Sequence, residues 1–229
     1  MRVVSLVPSS TETLLALGVD VVACTRFCEQ PDLRHVGGTK NPDIAAIVEL
    51  APDLVVMDRE ENRREDHDTL VARGVTVWAS DVRSVDDALA VVTGLAELTG
   101  RPAPSRSLPA AVSPPVRRTA FVPIWRRPWM TIGPRTYGAS VLERVGVDLA
   151  TADVAGDYPT VELDELAARE PDLVLVPSEP YTFSDGQLDE LRRAVPRAAL
   201  IRVDGQDLFW WGVRTPDAIE RIGAAIAAA

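Results

Sequence analysis

The chain has 229 residues, 46% apolar and 25% charged, and a net charge of −10. Such a chain suits one large domain or two small lobes, with enough length to bury a core, and its composition is that of a soluble globular protein. The negative balance excludes a nucleic-acid surface, which needs a basic face, and no apolar run is long enough to span a bilayer. Cys24 and Cys28 are the only cysteines, and His35 and His67 the only histidines. They form neither a disulfide framework nor a zinc signature of standard spacing, so no metal centre and no required cofactor are expected. The sequence opens into a strand with no basic and apolar export signal. A cytoplasmic location is expected, with a periplasmic or other extracytoplasmic one as the alternative for a trimmed chain.

Val3 to Val7 reads as a buried strand, and Ser9 and Glu12 have the spacing of a capping box for the helix that Gly18 ends. Val19 to Thr25 reads as a second strand leading into a loop with Phe27 and Cys28. Ile44, Ile47, Val48 and Ala51 follow helical spacing. Pro52-Asp53-Leu54-Val55-Val56-Met57 then reads as a buried strand, and at its carboxyl end stands the charged run Asp58-Arg59-Glu60-Glu61-Asn62-Arg63. A short helix from Glu65 to Arg73 and a strand at Val75 to Trp78 complete a first lobe, residues 1–83.

The helix after Ser84, with Val85, Ala88, Leu89, Val92 and Leu95 on one face, leads into a stretch carrying Pro102, Pro104, Pro109, Pro114 and Pro115. Residues 84–116 are therefore expected to form a helix and proline-rich linker between lobes. Residues 117–229 repeat the order of the first lobe: a strand from Thr119, a loop from Trp125 to Pro134, a helix from Tyr137, and a helix from Val161 to Arg169. Pro171-Asp172-Leu173-Val174-Leu175-Val176 closely copies the Pro52 stretch and runs into Ser178, Glu179 and Tyr181. A helix near Gln187, a strand at Leu200 to Val203, a loop from Asp204 to Gly212 and a closing helix follow. Alternating strands and helices predict an α/β fold of two Rossmann-like lobes with mostly parallel sheets.

In such sheets ligands bind beyond the carboxyl ends of the strands. That rule nominates Ser9, Ser10, Phe27, Cys28, Asp58, Arg59, Glu60, Glu61, Asn62 and Arg63 on the first lobe. On the second it nominates Trp125, Trp129, Tyr158, Glu179, Tyr181, Trp210 and Trp211. Of the twelve Phe, Trp and Tyr residues only Phe27 and Trp78 precede the linker, so the second lobe is the one able to offer an aromatic wall to a broad, partly apolar ligand. The alternative for each ring is a plug at the end of its lobe. The charged run suits the polar edge of a ligand, Arg favouring carboxylate or phosphate; alternatively it is a solvated helix entry. Ser9 and Ser10 are ordinary caps or donors to an anion, and Cys28 an inert thiol, a redox-active one or a soft metal ligand. No nucleophile–base pair or phosphate-binding glycine loop is visible.

Val4-Ser5-Leu6-Val7-Pro8-Ser9-Ser10-Thr11-Glu12, Asn41-Pro42-Asp43 with Ile47, Pro52-Asp53-Leu54-Val55, Asp157-Tyr158-Pro159 and Phe209-Trp210-Trp211 resemble the periplasmic cobalamin- and iron-siderophore-binding proteins, the helical backbone metal receptor superfamily. The likeness covers nearly the whole chain and leans to the cobalamin-binding branch. It implies two lobes bridged by a helix, a ligand in the inter-lobe cleft, aromatic contact with a corrin ring near Tyr158, and delivery to an ABC-type importer through one acid per lobe. Asp164 matches that acid on the second lobe, whereas Arg64 stands at the corresponding place on the first. The expected protein is a monomeric, non-enzymatic binder of cobalamin or a similar metal chelate, with an ABC transporter permease as partner, no nucleic-acid partner and no insertion into a membrane. A ferric siderophore or haem ligand is one alternative. A cytosolic enzyme using Glu60 or Glu61 as base is the other.

Overall fold

The strand at Arg2–Ser5 (β1) pairs in parallel with Asp20–Cys24 (β2) on one side and Leu54–Asp58 (β6) on the other. The computed structural model describes residues 1–105, 107–111 and 117–229, which divide into two compact units. Unit 1 comprises Met1–Val82, Asp86–Arg106 and Trp211–Arg214; unit 2 comprises Arg83–Val85, Ser107–Trp210 and Thr215–Ala229.

In unit 1, β1 leads through helix α1 (Pro8–Ala16) to β2, and then to the short strands β3 (Arg34–His35), β4 (Gly37–Gly38) and β5 (Asn41–Pro42). Helix α2 (Ile44–Glu49), β6, helix α3 (Arg64–Ala72), strand β7 (Val77–Ser80) and helix α4 (Val85–Thr99) follow. The parallel sheet has the order β3-β2-β1-β6-β7, and β4 and β5 form a separate antiparallel pair. Strand residues alternate faces. Val4, Leu6, Val55 and Met57 pack with Ile47 of α2 and Leu70 of α3 in one core. Val3, Leu54 and Val56, on the alternate positions, are buried as well, so both faces are covered, as a parallel sheet requires.

Unit 2 runs through β8 (Arg118–Phe121), β9 (Pro123–Trp125), β10 (Met130–Thr131), α5 (Tyr137–Arg144), β11 (Val147–Leu149) and α6 (Leu163–Arg169). It continues with β12 (Leu173–Pro177), α7 (Asp185–Ala194), β13 (Ala199–Val203), α8 (Gly205–Phe209) and α9 (Thr215–Ala227). Its parallel sheet has the order β11-β8-β12-β13. That is the order β2-β1-β6-β7 of unit 1, strand for strand, so the α/β fold with parallel sheets is as the alternation of elements predicts. The recurrent Pro-Asp has a physical role in each unit. The Asp53 carboxylate accepts from Arg2 N–H at 2.6 Å while Asp53 N–H bonds Arg2 C=O at 2.9 Å. Asp172 repeats both bonds on Thr119, at 2.7 and 3.0 Å. The aspartate thus clamps the start of the central strand to its neighbour and sets the register of the apolar run behind it.

Several local expectations are corrected. Helix α1 starts at Pro8 with Val7 as N-cap and no side-chain cap; proline suits that first position because the N–H it lacks would have no helical partner. Glu12 does not close a capping box but pairs with Arg214 through two bonds of 2.7 and 2.9 Å. The β9–β10 hairpin crosses the expected boundary at Trp125, with β10 inside the stretch expected to be loop to Pro134. The loop at Asp204 to Gly212 contains α8, capped by the Asp204 carboxylate on Gln206 N–H at 2.9 Å. Helix α4 ends at Thr99, and residues 101–105 and 107–111 are neither helix nor strand. Pro114 and Pro115 of the expected linker lie outside the described residues. Among the described residues, no helix is long and apolar enough to cross a membrane.

Candidate functional site

Each unit has one place where its chain order reverses across the sheet, and this is where a doubly wound sheet opens a crevice at its carboxyl edge. In unit 1 that place lies between β1 and β6. The Asn62 side chain fills it. Its Nδ2 donates to Leu6 C=O at 3.2 Å and Thr39 C=O at 2.9 Å, and its Oδ1 accepts from Asp58 N–H at 2.8 Å. Asp58, at the end of β6, is buried; its Oδ1 accepts from Glu60 N–H at 2.9 Å and Glu61 N–H at 3.4 Å, and its Oδ2 from Ser80 Oγ at 2.7 Å. Asp58 and Ser80 are register partners on β6 and β7. Burial nevertheless raises the Asp58 pKa, against the lowering by these donors. Glu61 is half-buried, and its pKa is raised first by burial and then by the Asp58 charge, with Lys40 opposing.

The rest of the charged run stays on the outside of this scaffold. Arg59 and Glu60 are exposed, Arg59 pairing with Asp81 at 3.3 Å, and the Lys40 ammonium donates to Glu60 C=O. A recess of about 370 Å³ is lined by Asp58, Arg59, Asn62 and Arg63 together with Arg64 and His67 of α3. Three guanidiniums and one imidazole give it the donors that carboxylate or phosphate oxygens require.

In unit 2 the order reverses between β8 and β12, and the segments after these strands bring four rings together. Trp125 meets Tyr181 edge-on with centroids 5.0 Å apart, Tyr181 meets Phe183 at 4.8 Å, and Phe183 stacks on Trp129 at 5.7 Å. The chain of rings is graded in exposure: Trp125 is 46% exposed, Tyr181 is half-buried, and Phe183 and Trp129 are buried. Arg126 covers the Trp129 face at 4.9 Å and is held by Glu190, with bonds of 2.7 and 3.0 Å. Gln187 Nε2 donates to the Tyr181 hydroxyl at 2.8 Å. Tyr158 is exposed too, and backbone bonds on both sides fix its segment against β10, from Gly133 N–H to Asp157 C=O at 2.7 Å and from Thr131 N–H to Pro159 C=O at 3.0 Å. Ser178, next to the half-buried Glu179, accepts from Gly205 N–H at 2.9 Å. A second recess, about 240 Å³, is lined by Arg126, Pro128, Trp129 and the residues Glu162, Leu163 and Asp164 at the start of α6.

Not every nominated residue sits on these two surfaces. Ser9 is buried and accepts from Trp211 N–H at 3.2 Å, and Ser10 is buried with its hydroxyl unbonded among the described residues. Trp211, expected on the second-lobe aromatic wall, is corrected to a buried residue of unit 1, while its neighbour Trp210 stays in unit 2 as the C-cap of α8. Phe27 is exposed beneath the Arg26 guanidinium, 4.6 Å from its ring centre. Cys28 is buried between the Thr11 and Thr25 hydroxyls, each 3.2 Å from its sulfur. The sequence reading passed over Phe183, Ser80 and Thr39. The two-residue spacing of Tyr181 and Phe183 was the available signal for the first; Ser80 and Thr39 have none, because only the folded register brings them to Asp58 and Asn62. Arg64 and Asp164, the positions compared with docking acids, are both exposed. Among the described residues no three His, Cys, Asp or Glu side chains could hold a metal ion.

Residues 3–199 match the family described as periplasmic binding protein. A vitamin B12-binding protein from Yersinia pestis (strain Pestoides F) is 26% identical over 194 residues, covering 76% of this chain and 69% of that protein. Among solved structures, the periplasmic vitamin B12 binding protein BtuF of Vibrio cholerae superposes with a TM-score of 0.76 at 20% identity, over 99% of this chain and 96% of the other. The apo periplasmic heme-binding protein RhuT from Roseiflexus sp. RS-1 gives 0.81 at 21% identity, over 99% and 98%. At such identities the superpositions establish the fold. The family and the two solved neighbours are described as periplasmic, which overturns the expected cytoplasmic location. They are also binding proteins, and nothing among them supports the cytosolic enzyme with Glu60 or Glu61 as base.

Proposed function

The chain belongs to the periplasmic binding protein family, and within it we propose a binder of a corrinoid, cobalamin itself being the ligand meant. The observation that supports this most is the ring series at the β8/β12 crevice, where buried Trp129 and Phe183 hold Tyr181 and the exposed Trp125 in place. A rigid, outward-facing indole offers a flat apolar face to a macrocycle at low entropic cost. Arg59, Glu60 and Glu61 supply hydrogen-bond partners for the amide or carboxylate edge of the ligand, and Asn62 supports them by holding their loop to Leu6 and Thr39. Ser9, Ser10, Phe27, Cys28, Asp58, Arg63, Trp129, Tyr158, Glu179, Tyr181, Trp210 and Trp211 contact or support it in the same proposal. A corrinoid brings its own metal and ring nitrogens, so the protein needs no metal ligands of its own. Delivery to an ABC-type importer is part of this reading.

Haem or a ferric siderophore is the second reading. Its specific support is Tyr158, an exposed phenol on a segment fixed by backbone bonds, since tyrosine is one of the protein ligands of haem iron. Titration of the purified protein separates the two. For a corrinoid, tryptophan fluorescence falls on adding cobalamin, Trp125→Ala weakens binding about tenfold or more, and Tyr158→Phe retains it because the ring is kept. For haem, Tyr158→Phe changes the haem spectrum and loses affinity. Unchanged fluorescence and an unchanged corrin spectrum at saturating cobalamin would end the first reading.

A further inference from the structure

Among the described residues, four basic side chains and one carboxylate line the recess of unit 1, in a chain whose net charge is −10. Arg59 comes from the loop after β6, and Arg63, Arg64 and His67 come from the start of α3. His67 follows Arg63 and Arg64 by one helical turn, the spacing that puts side chains on one face. The carboxylate is that of Asp58, which is buried with its oxygens engaged by Glu60 N–H, Glu61 N–H and the Ser80 hydroxyl. Asn62 is engaged in the same way with Leu6, Thr39 and Asp58. These bonds give the recess a fixed floor. The arginines have looser partners: Arg59 meets Asp81 at 3.3 Å, Arg64 meets Asp68 at 3.6 Å, and the Arg63 charge acts on Asp66. Asp68 also bonds His67 Nδ1 at 2.9 Å. Such surface pairs are weak, and a guanidinium has five N–H donors, most of which a single partner leaves over.

We propose that this recess is a binding site for a phosphate dianion, free or as a monoester. Its volume of about 370 Å³ is more than the ion needs, which leaves room for the group that carries it. A carboxylate is planar and is satisfied by one guanidinium fork. A phosphate presents three terminal oxygens in different directions and takes donors from several. Guanidiniums that arrive both from the end of β6 and from the start of α3 suit the second geometry. On binding, phosphate oxygens take the places of Asp81 and Asp68 beside Arg59 and Arg64, and those exposed acids turn to solvent while the Asp58 and Asn62 bonds beneath stay as they are. Arg59 and Arg63 are shared with the corrinoid proposal, whereas Arg64 and His67 are not. The site goes beyond that proposal and does not rest on it.

The test is a titration of the whole chain, labelled with ¹⁵N-arginine, with inorganic phosphate and with glycerol 3-phosphate, following the arginine Nε–H signals by NMR. It is run at about pH 8, where phosphate is mostly doubly charged, and in about 0.15 M NaCl to screen diffuse attraction. The signals that disappear in Arg59→Ala, Arg63→Ala and Arg64→Ala should shift saturably, with Kd of about 1 mM or tighter. Arg64→Ala should weaken phosphate about tenfold, and succinate should bind the wild-type chain more weakly by a similar factor. Arg192→Ala is the control, because Arg192 is another exposed arginine paired with an acid, Asp189 at 2.7 Å, and it should change nothing. No saturable shift up to about 10 mM phosphate would overturn the proposal. So would shifts spread over all the arginines, succinate binding as well as phosphate, or an equal loss in Arg64→Ala and Arg192→Ala. The titration contains no corrinoid, so the two proposals fail separately: phosphate binding without cobalamin binding ends only the corrinoid reading, and the reverse ends only this one.

Discussion

At Glu61 a carboxylate is half-buried next to another one, and both burial and the Asp58 charge raise its pKa. A raised carboxyl pKa means that the folded protein holds a proton which the unfolded chain has already lost. Stability from this group is therefore complete below the ordinary carboxylate range and declines as the pH rises through the folded pKa. Asp58 has the same sign, but its oxygens hold Ser80 and two backbone N–H groups, so replacing it would remove bonds as well as charge. Glu61→Gln is the cleaner change. It should raise Tm relative to wild type at about pH 7, with the difference closing towards about pH 4, where both side chains are neutral. A difference that stays constant with pH would show that shape, and not ionisation, is responsible. The charged run was legible in the sequence as a feature at a strand end. Its division of labour was not. Asn62 looks like one polar residue among six, yet it is the buried bolt between β1 and β6, because its partners Leu6 and Thr39 are distant in sequence.

Elements with a period or a repeated signature were legible, and short ones were not. The Pro-Asp before β6 and β12 announced two equivalent strands, and the clamps on Arg2 and Thr119 explain why the same pair serves both. The β9–β10 hairpin was hidden because its strands have three and two residues and prolines surround them; α8, with five residues, is too short to show helical periodicity. Segment Trp211–Arg214 was also misplaced, since its attachment to α1 rests on long-range bonds. Besides Ser9 with Trp211, Thr13 Oγ1 accepts from Val213 N–H at 3.3 Å, and Arg214 pairs with Glu12. Gly212 makes this docking possible: at φ +112° a Cβ there would lie 2.2 Å from Thr13 Oγ1. Gly212→Ala should thus combine backbone strain with a collision and cost more than about 2 kcal/mol in urea unfolding. Gly18→Ala is the control, with a positive φ of +70° and nothing within 4 Å, and should cost only the backbone term of about 1 kcal/mol. Equal losses in the two variants would refute the packing role of Gly212.

For the molecule as a whole, the shared strand order of the two units is what the duplicated Pro-Asp signature implied, and family membership follows from a match across residues 3–199. The identity of the ligand does not follow, because the same fold serves a vitamin B12 binding protein in one neighbour and a heme-binding protein in another. Ligand choice depends on a few side chains, and it can be read through global stability. A ligand that binds only the folded state stabilises it by RT ln(1 + [L]/Kd), about 2.7 kcal/mol at a hundredfold excess over Kd. For a chain of this size that corresponds to a Tm rise of about 5–10 °C. Cyanocobalamin, haem and a ferric siderophore, compared at equal concentration, should rank with the corrinoid first if Trp125 provides its stacking face. Trp125→Ala should then reduce the cobalamin shift while changing the Tm of the unliganded protein much less, because Trp125 is 46% exposed at the end of the ring series and other aromatic contacts remain between Tyr181, Phe183 and Trp129. A larger shift with haem, abolished by Tyr158→Phe, would move the protein to the haem-binding reading. A cobalamin shift indifferent to Trp125→Ala would remove the aromatic series as the basis of recognition, even with the ligand correctly named.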